Sequence, residues 1–235
     1  MAHIGTRDLN CGWLKRQVII GAAILVGATF ATVAGGQKIG QFLALAGHSE
    51  RTAPIEAVVG NNVLFVPENM IRRAEQRSSG EYSRLDLYMR WPELTGYSRN
   101  AADIFNGRTV PRSLIFVTVE PSTTAPDMSA RYAGVYRPLL KSPGIAGPAG
   151  LQLSAFRRDT GFEKELLAHG IFADGSLYVA RCLAGTDGRQ ALAGCERDVN
   201  IGAGLSITYR FPRELLGDWR TMEPALRDRV NALIR

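Results

Sequence analysis

Only three histidines occur in 235 residues, at His3, His48 and His169, so imidazole chemistry has few places to reside. Glu165 and His169 are the one carboxylate–imidazole pair at a suggestive spacing. Four residues apart, they would be neighbours on one face of a helix. On a strand they would share a face but stand roughly 13 Å apart. One carboxylate and one imidazole do not make a catalytic zinc site, which takes three protein ligands. The residues therefore imply no metal and no cofactor. Gly204-Leu205-Ser206-Ile207-Thr208 begins like a nucleophile elbow but lacks the second glycine and lies inside a strand pattern. Neither a P-loop nor a dinucleotide-binding glycine fingerprint is present. Gly144, Gly147 and Gly150, interleaved with Pro143 and Pro148, read as an irregular loop. Acid–base chemistry on a pair of carboxylates stays open, because Asp and Glu total 22 and their spacing selects no pair.

Cys182 and Cys195 flank a stretch rich in glycine and alanine, as in a surface loop. Joined, they would close a loop that adds roughly 3 kcal/mol of stability, and such a bond persists outside the cytoplasm. The other reading is two unpaired thiols. A cysteine nucleophile is excluded if they are paired. Cys11 precedes the apolar run described below, and Leu9-Asn10-Cys11 is a poor lipobox, so Cys11 reads as a free thiol.

Two segments could carry recognition. Val66 to Arg73 leaves a strand through Pro67 and sets Asn69, Arg72 and Arg73 beside Met70 and Ile71. Trp91 to Ser98 turns through Pro92 with aromatics on either side. Aromatic residues with arginine are a typical interface composition, so Arg72, Arg73, Tyr88, Arg90, Trp91 and Tyr97 form the candidate interaction patch. The plainer reading is a pair of packed turns.

The element that must place all of this is the uncharged run from Gln17 to Gln37. It matches the ~20 apolar residues that cross a bilayer as a helix. A soluble core helix would need a wet face, and a cleaved signal peptide has a shorter apolar region, although Thr32-Val33-Ala34 could serve as its cleavage site. Arg7, Lys15 and Arg16 before the run, against Lys38 and Arg51 after it, favour a cytoplasmic N-terminus. Ala23, Gly27, Ala31 and Gly35 recur every four residues, a spacing at which small side chains let two helices approach, so a homo-oligomer is admitted. The expected organisation is a tail over 1–16, a transmembrane helix over 17–37, a juxtamembrane linker over 38–54 and a β-rich domain over 55–235.

The chain carries a formal charge of +6, and its basic residues are almost all arginine, the lysines being Lys15, Lys38, Lys141 and Lys164. This suits either anionic headgroups near an anchor or simply a GC-rich genome. Without a clustered basic stripe, nucleic acid is not an expected partner. No Asn-x-Ser/Thr sequon occurs, which points to a bacterial periplasm.

Within the domain, Ala57 to Val66 reads as two strands broken at Gly60-Asn61-Asn62. From Tyr82 to Trp91, apolar residues alternate with Asp86, Tyr88 and Arg90, predicting a half-buried strand. Ser113 to Val119, apolar on both faces, predicts a central one. Leu151–Arg157, Phe162–His169, Ser176–Leu183 and Gly204–Phe211 follow, with hairpin signals at Asp159-Thr160-Gly161 and Ala173-Asp174-Gly175. Together they predict an antiparallel meander. A last helix is expected with Thr221 as cap and Pro224 in its first turn. Its stripe of Met222, Leu226, Val230 and Leu233 packs on the sheet or docks a partner. The fold class is thus mainly β (α+β), a meander or sandwich-like periplasmic domain between an N-terminal transmembrane helix and a C-terminal amphipathic helix.

The segments VPENMIR, RLDLYMRWPELTGYS and ARC…GCERD…GLSITYRFPRELLGDW resemble uncharacterised single-span, membrane-anchored envelope proteins of alphaproteobacteria. The resemblance covers most of the chain and implies a bacterial inner-membrane location, and it carries over no catalytic residue. The leading expectation is a non-catalytic accessory or scaffold protein that touches the bilayer through 17–37 and binds an envelope partner. The alternative is an envelope hydrolase using acidic residues.

Overall fold

The computed structural model describes residue 20 and residues 47–110, 112–122, 125–202 and 204–235. The expected span, with Ala23, Gly27, Ala31 and Gly35, and Cys11 before it, otherwise lies outside them. Among the described residues no helix is long and apolar enough to cross a membrane. Residues 48–235 form one folded unit.

Alternating apolar residues build this unit from two sheets. The smaller has three strands in the order β2-β1-β3, from β1 (Pro54–Val59), β2 (Asn62–Pro67) and β3 (Gly80–Tyr82). Val59 pairs with Asn62 across a two-residue turn, and Gly60 there takes φ +58°, which a β-branched residue would resist. The larger sheet has eight strands in the order β4-β5-β11-β10-β9-β8-β7-β6. These are β4 (Leu85–Arg90), β5 (Leu114–Pro121), β6 (Ile145–Ala146), β7 (Gln152–Ala155), β8 (Glu165–Ile171), β9 (Leu177–Leu183), β10 (Cys195–Gly202) and β11 (Leu205–Phe211). After β5 the chain crosses to the far edge and meanders back until β11 lies antiparallel beside β5. The fold is therefore mainly β with antiparallel sheets and a few helices.

One face of the large sheet is the core face. Leu87, Val117, Ile207 and Phe211 bury there in one cluster with Leu64 and Val66 of the small sheet and with the last helix, α3 (Trp219–Asn231), which supplies Trp219, Met222, Leu226 and Val230. Two shorter helices, α1 (Ala102–Phe105) and α2 (Gly185–Gln190), lie in connections. The opposite, outer face carries a second, smaller core of Met128, Tyr136, Phe156, Leu167 and Val179.

Several expectations change. β4 is buried on both faces, Asp86 and Tyr88 included, because other segments cover its outer side. β10 was not expected, because its inward positions Cys195, Arg197, Val199 and Ile201 place a charge where alternation calls for an apolar residue. The helix α3 begins at Trp219, so Pro224 sits inside it, and the Thr221 hydroxyl donates back to the Asp218 carbonyl at 3.0 Å instead of capping. Glu165 and His169 do lie on a strand, β8, as the run Phe162–His169 predicts, so of the two spacings considered for them the strand one applies.

Candidate binding interface

Cys182 and Cys195 are joined by a disulfide and are cross-strand partners in β9 and β10. The two strands pair only here and at Glu196–Arg181, then part. The gap is filled by side chains. The Leu177 carbonyl accepts from the Ser129 hydroxyl at 2.6 Å, and the Val179 carbonyl accepts from Arg197 at 2.8 Å. Backbone acceptors that would otherwise be stranded in the interior are thus satisfied.

Arg197 then reaches the core face, where it forms a two-pronged pair with Glu223 of α3, and its guanidinium stacks 4.7 Å from the Tyr178 ring centroid. The Tyr209 hydroxyl donates to the same carboxylate at 2.8 Å, and burial pushes Tyr209 well above its ordinary pKa. Burial works against the charge on Arg197, but Tyr209 and Glu223 outweigh it and raise its pKa. This network floors a cleft of about 780 Å³ rimmed by Asp127, Asp174, Arg220 and Arg227. Glu223 accepts from Arg197 through both oxygens and from the Tyr209 hydroxyl, so it ties α3 to β10 and β11.

The outer face presents a different arrangement. Arg72 and Arg73 line a groove of about 510 Å³ together with Arg84, Phe116 and Arg210. The chain after β2 lies along the edge of β4: Ile71 bridges Leu87, the Arg72 amide donates to the Asp86 carbonyl at 2.9 Å, and Gln76 bonds both Arg84 and Asp86. Buried Asp86 anchors the groove. Its carboxylate accepts from Thr118 at 2.9 Å and pairs with Arg73 at 2.7 Å and Arg84 at 3.6 Å. Arg72 lies over the Phe116 ring, 4.9 Å from its centroid. Arg210 donates to Glu196 at 2.6 Å, Arg181 pairs with Glu196 at 2.9 Å, and Arg181 also reaches Glu165 at 3.5 Å. Burial opposes ionisation of Glu196, but Arg210 and Arg181 outweigh it and hold its carboxyl below the usual range. Burial, with Glu196 adding, raises Glu165 against the pull of Arg181.

The six residues of the expected patch do not share one surface. Arg72 and Arg73 stand in the groove. Arg90 donates to Thr95 at 3.2 Å and pairs with Glu93 at 3.4 Å, while Trp91, packed against the core, donates to Asp218 at 2.9 Å. Tyr88 and Tyr97 are each only 1% exposed, which removes them from any surface patch. They are buried because His48 and Phe105 cover them. The two segments read as recognition elements are also tied to each other. The Tyr97 amide donates to the Asn69 carbonyl at 2.8 Å, and the Asn69 side chain returns a bond to the Tyr97 carbonyl at 2.9 Å. A Cβ at Gly96 would lie 2.4 Å from that Asn69 oxygen, so only glycine permits the approach.

Sequence reading missed Arg84, Asp86, Phe116 and Arg210 as a set, because cross-strand register alone brings them together. It also missed Arg197 and Glu223, although a charge at an inward strand position and an acid inside the apolar stripe of α3 were signals of a buried pair. Among the described residues no group of three or more histidine, cysteine, aspartate and glutamate side chains could hold a metal ion.

No family model matches the sequence, and no curated protein matches it. Among solved structures, an immunity protein of the Stenotrophomonas maltophilia type IV secretion system is similar over 80% of this chain and 96% of its own, at 18% identity and a TM-score of 0.53. The Neisseria meningitidis iron-regulated outer membrane lipoprotein FrpD aligns over 78% of this chain and 95% of its own, at 10% identity and a TM-score of 0.43. At such identities, the likeness to the immunity protein is one of fold.

Proposed function

We propose that this chain is a non-catalytic, envelope-located accessory or scaffold protein whose outer-face groove docks a protein partner. In this reading residues 17–37 anchor it in a bacterial inner membrane and residues 55–235 face the periplasm, as the uncharged run and the disulfide support. The observation that carries the proposal is the groove. Arg73 and Arg84 are oriented by one buried carboxylate and Arg72 by an aromatic face, while 45% of the Arg73 side chain and 52% of the Arg84 side chain remain exposed. Arginine forks held in place before a partner arrives lose less entropy on binding. The fold shared with a secretion-system immunity protein is a second support.

A hydrolase reading draws on one observation, the carboxyls of Glu165 and Glu196, one raised and one lowered. Arg181, however, pairs with both, which suits a structural charge network better than an acid–base pair. Cross-linked co-purification of the full chain in mild detergent tests the binding reading. The expected result is a defined partner recovered with the native chain and lost with Arg72→Glu/Arg210→Glu. Recovery of this chain alone, or a partner indifferent to those changes, overturns it.

A further inference from the structure

Residues 48–53 lie in the stretch expected to be linker, yet they are fastened to the domain at several points. The His48 ring stacks on Tyr97 with centroids 4.4 Å apart, shares a 3.0 Å hydrogen bond between Nδ1 and the Tyr88 hydroxyl, and meets the edge of Phe105. Next along the chain, the Ser49 hydroxyl donates to Glu68 at 2.7 Å, and Glu50 accepts from the Arg99 backbone at 2.9 Å and side chain at 2.8 Å. The Asn69 amide donates to the Arg51 carbonyl at 2.7 Å, and the Glu68 amide to that of Ala53 at 3.1 Å.

We propose that residues 48–53 are an acid-released latch, closed by neutral His48 seated in an aromatic box and opened when that imidazole takes up a proton. The groups facing the ring are the reason. Among the described residues, Tyr88, Tyr97 and Phe105 form the box, the Asn106 side chain is neutral, and the charge that acts on the ring is the cation Arg77. The nearby carboxylates are committed elsewhere, Glu50 to Arg99 and Glu68 to Ser49 and Arg51. Stacking would favour an imidazolium as a cation–π contact. Lost hydration and Arg77 oppose that.

The direction of the shift agrees. Burial lowers His48 below 6.5; Asn106 pulls the other way, and Arg77 lowers it further. A histidine whose pKa is depressed in the closed state favours closure above about 6.5 and loses that contribution as the pH falls. Tyr88, pushed up to about 12 by burial, stays neutral throughout. On the anchored reading above, freeing six residues adds up to about 20 Å of reach to a domain tethered at its N-terminus. The latch itself does not depend on that anchor.

Hydrogen exchange on the full chain in detergent, corrected for intrinsic rates, reads the latch at the amides of Glu68, Asn69 and Arg99. Their protection is expected to fall up to about tenfold between pH 7.5 and pH 5.5. Amides of β5 and β11 should stay far more protected than these three at both pH values, which separates local opening from global unfolding. His48→Phe, which keeps a stacked ring without a titrating group, should remain protected at both pH values, and His48→Ala should be open at both. Unchanged protection in the native chain across that range, or His48→Ala as protected as wild type, overturns the proposal. So does an NMR titration midpoint for His48 at or above 6.5. None of these readouts involves the groove, so the latch can fail while partner docking stands, and the reverse.

Discussion

The outer groove and the inner cleft are made from the same parts, arginine, a carboxylate and an aromatic ring, yet they are opposite in kind. In the cleft, the side chains of Arg197 and Glu223 are each 3% exposed and bond each other twice, with Tyr209 and Val179 taking further positions. In the groove, one buried carboxylate orients two arginines that are about half exposed. Burial with the Arg197 and Glu223 charges paired to each other makes the inner set a structural rivet between β10 and α3. Partial exposure around a fixed anchor leaves the outer set available. An Arg–acid contact therefore indicates a binding surface only where the guanidinium keeps unspent donors in reach of solvent.

The contrast is broken or sharpened first by stability. Glu223→Ala leaves Arg197 charged and without its counter-ion in the interior and should cost about 3–5 kcal/mol, read by urea denaturation. Arg73→Ala, in the groove, should cost about 0–1 kcal/mol. Equal losses would erase the distinction. Next in size is the clamp where β9 and β10 part: Cys182→Ser with Cys195→Ser should remove roughly 3 kcal/mol, and non-reducing peptide mapping of the native chain should recover the two cysteines linked. A smaller stability effect with a larger functional one is expected from Arg72→Glu/Arg210→Glu. Its melting temperature should fall modestly, because Glu196 loses Arg210 as a partner, while partner capture is lost outright, and wild-type capture should weaken as salt rises. The smallest effect is that of pH. Burial lowers both His48 and His169. Each therefore adds stability above about pH 6.5 that fades as the pH falls. The wild-type melting temperature should drop between pH 7.5 and 5.5, and His48→Phe/His169→Asn should flatten that slope.

The meander was legible because its signals are local. The turns at Asp159-Thr160-Gly161 and Ala173-Asp174-Gly175 and the alternation from Leu205 to Phe211 need only near neighbours. β10 was hidden because Arg197 breaks the apolar pattern at an inward position, a break compensated by Glu223, which lies 26 residues away. Tyr88 reads as exposed from its place opposite Leu87, and its burial comes from His48, which is 40 residues distant. The start of α3 was missed because Thr221 and Pro224 imitate a helix beginning one turn further on.

By itself, the sequence determined the β-rich class, the hairpins and the apolar stripe of the last helix, all carried by periodicity within a few residues. It also marked Cys182 and Cys195 as a pair to consider. Tertiary structure alone decided which arginines are spent and which remain free, where β9 and β10 separate, and that His48 is seated in a box of rings. Burial and pairing are properties of three-dimensional neighbourhoods, and the partners that set them here come from distant parts of the chain.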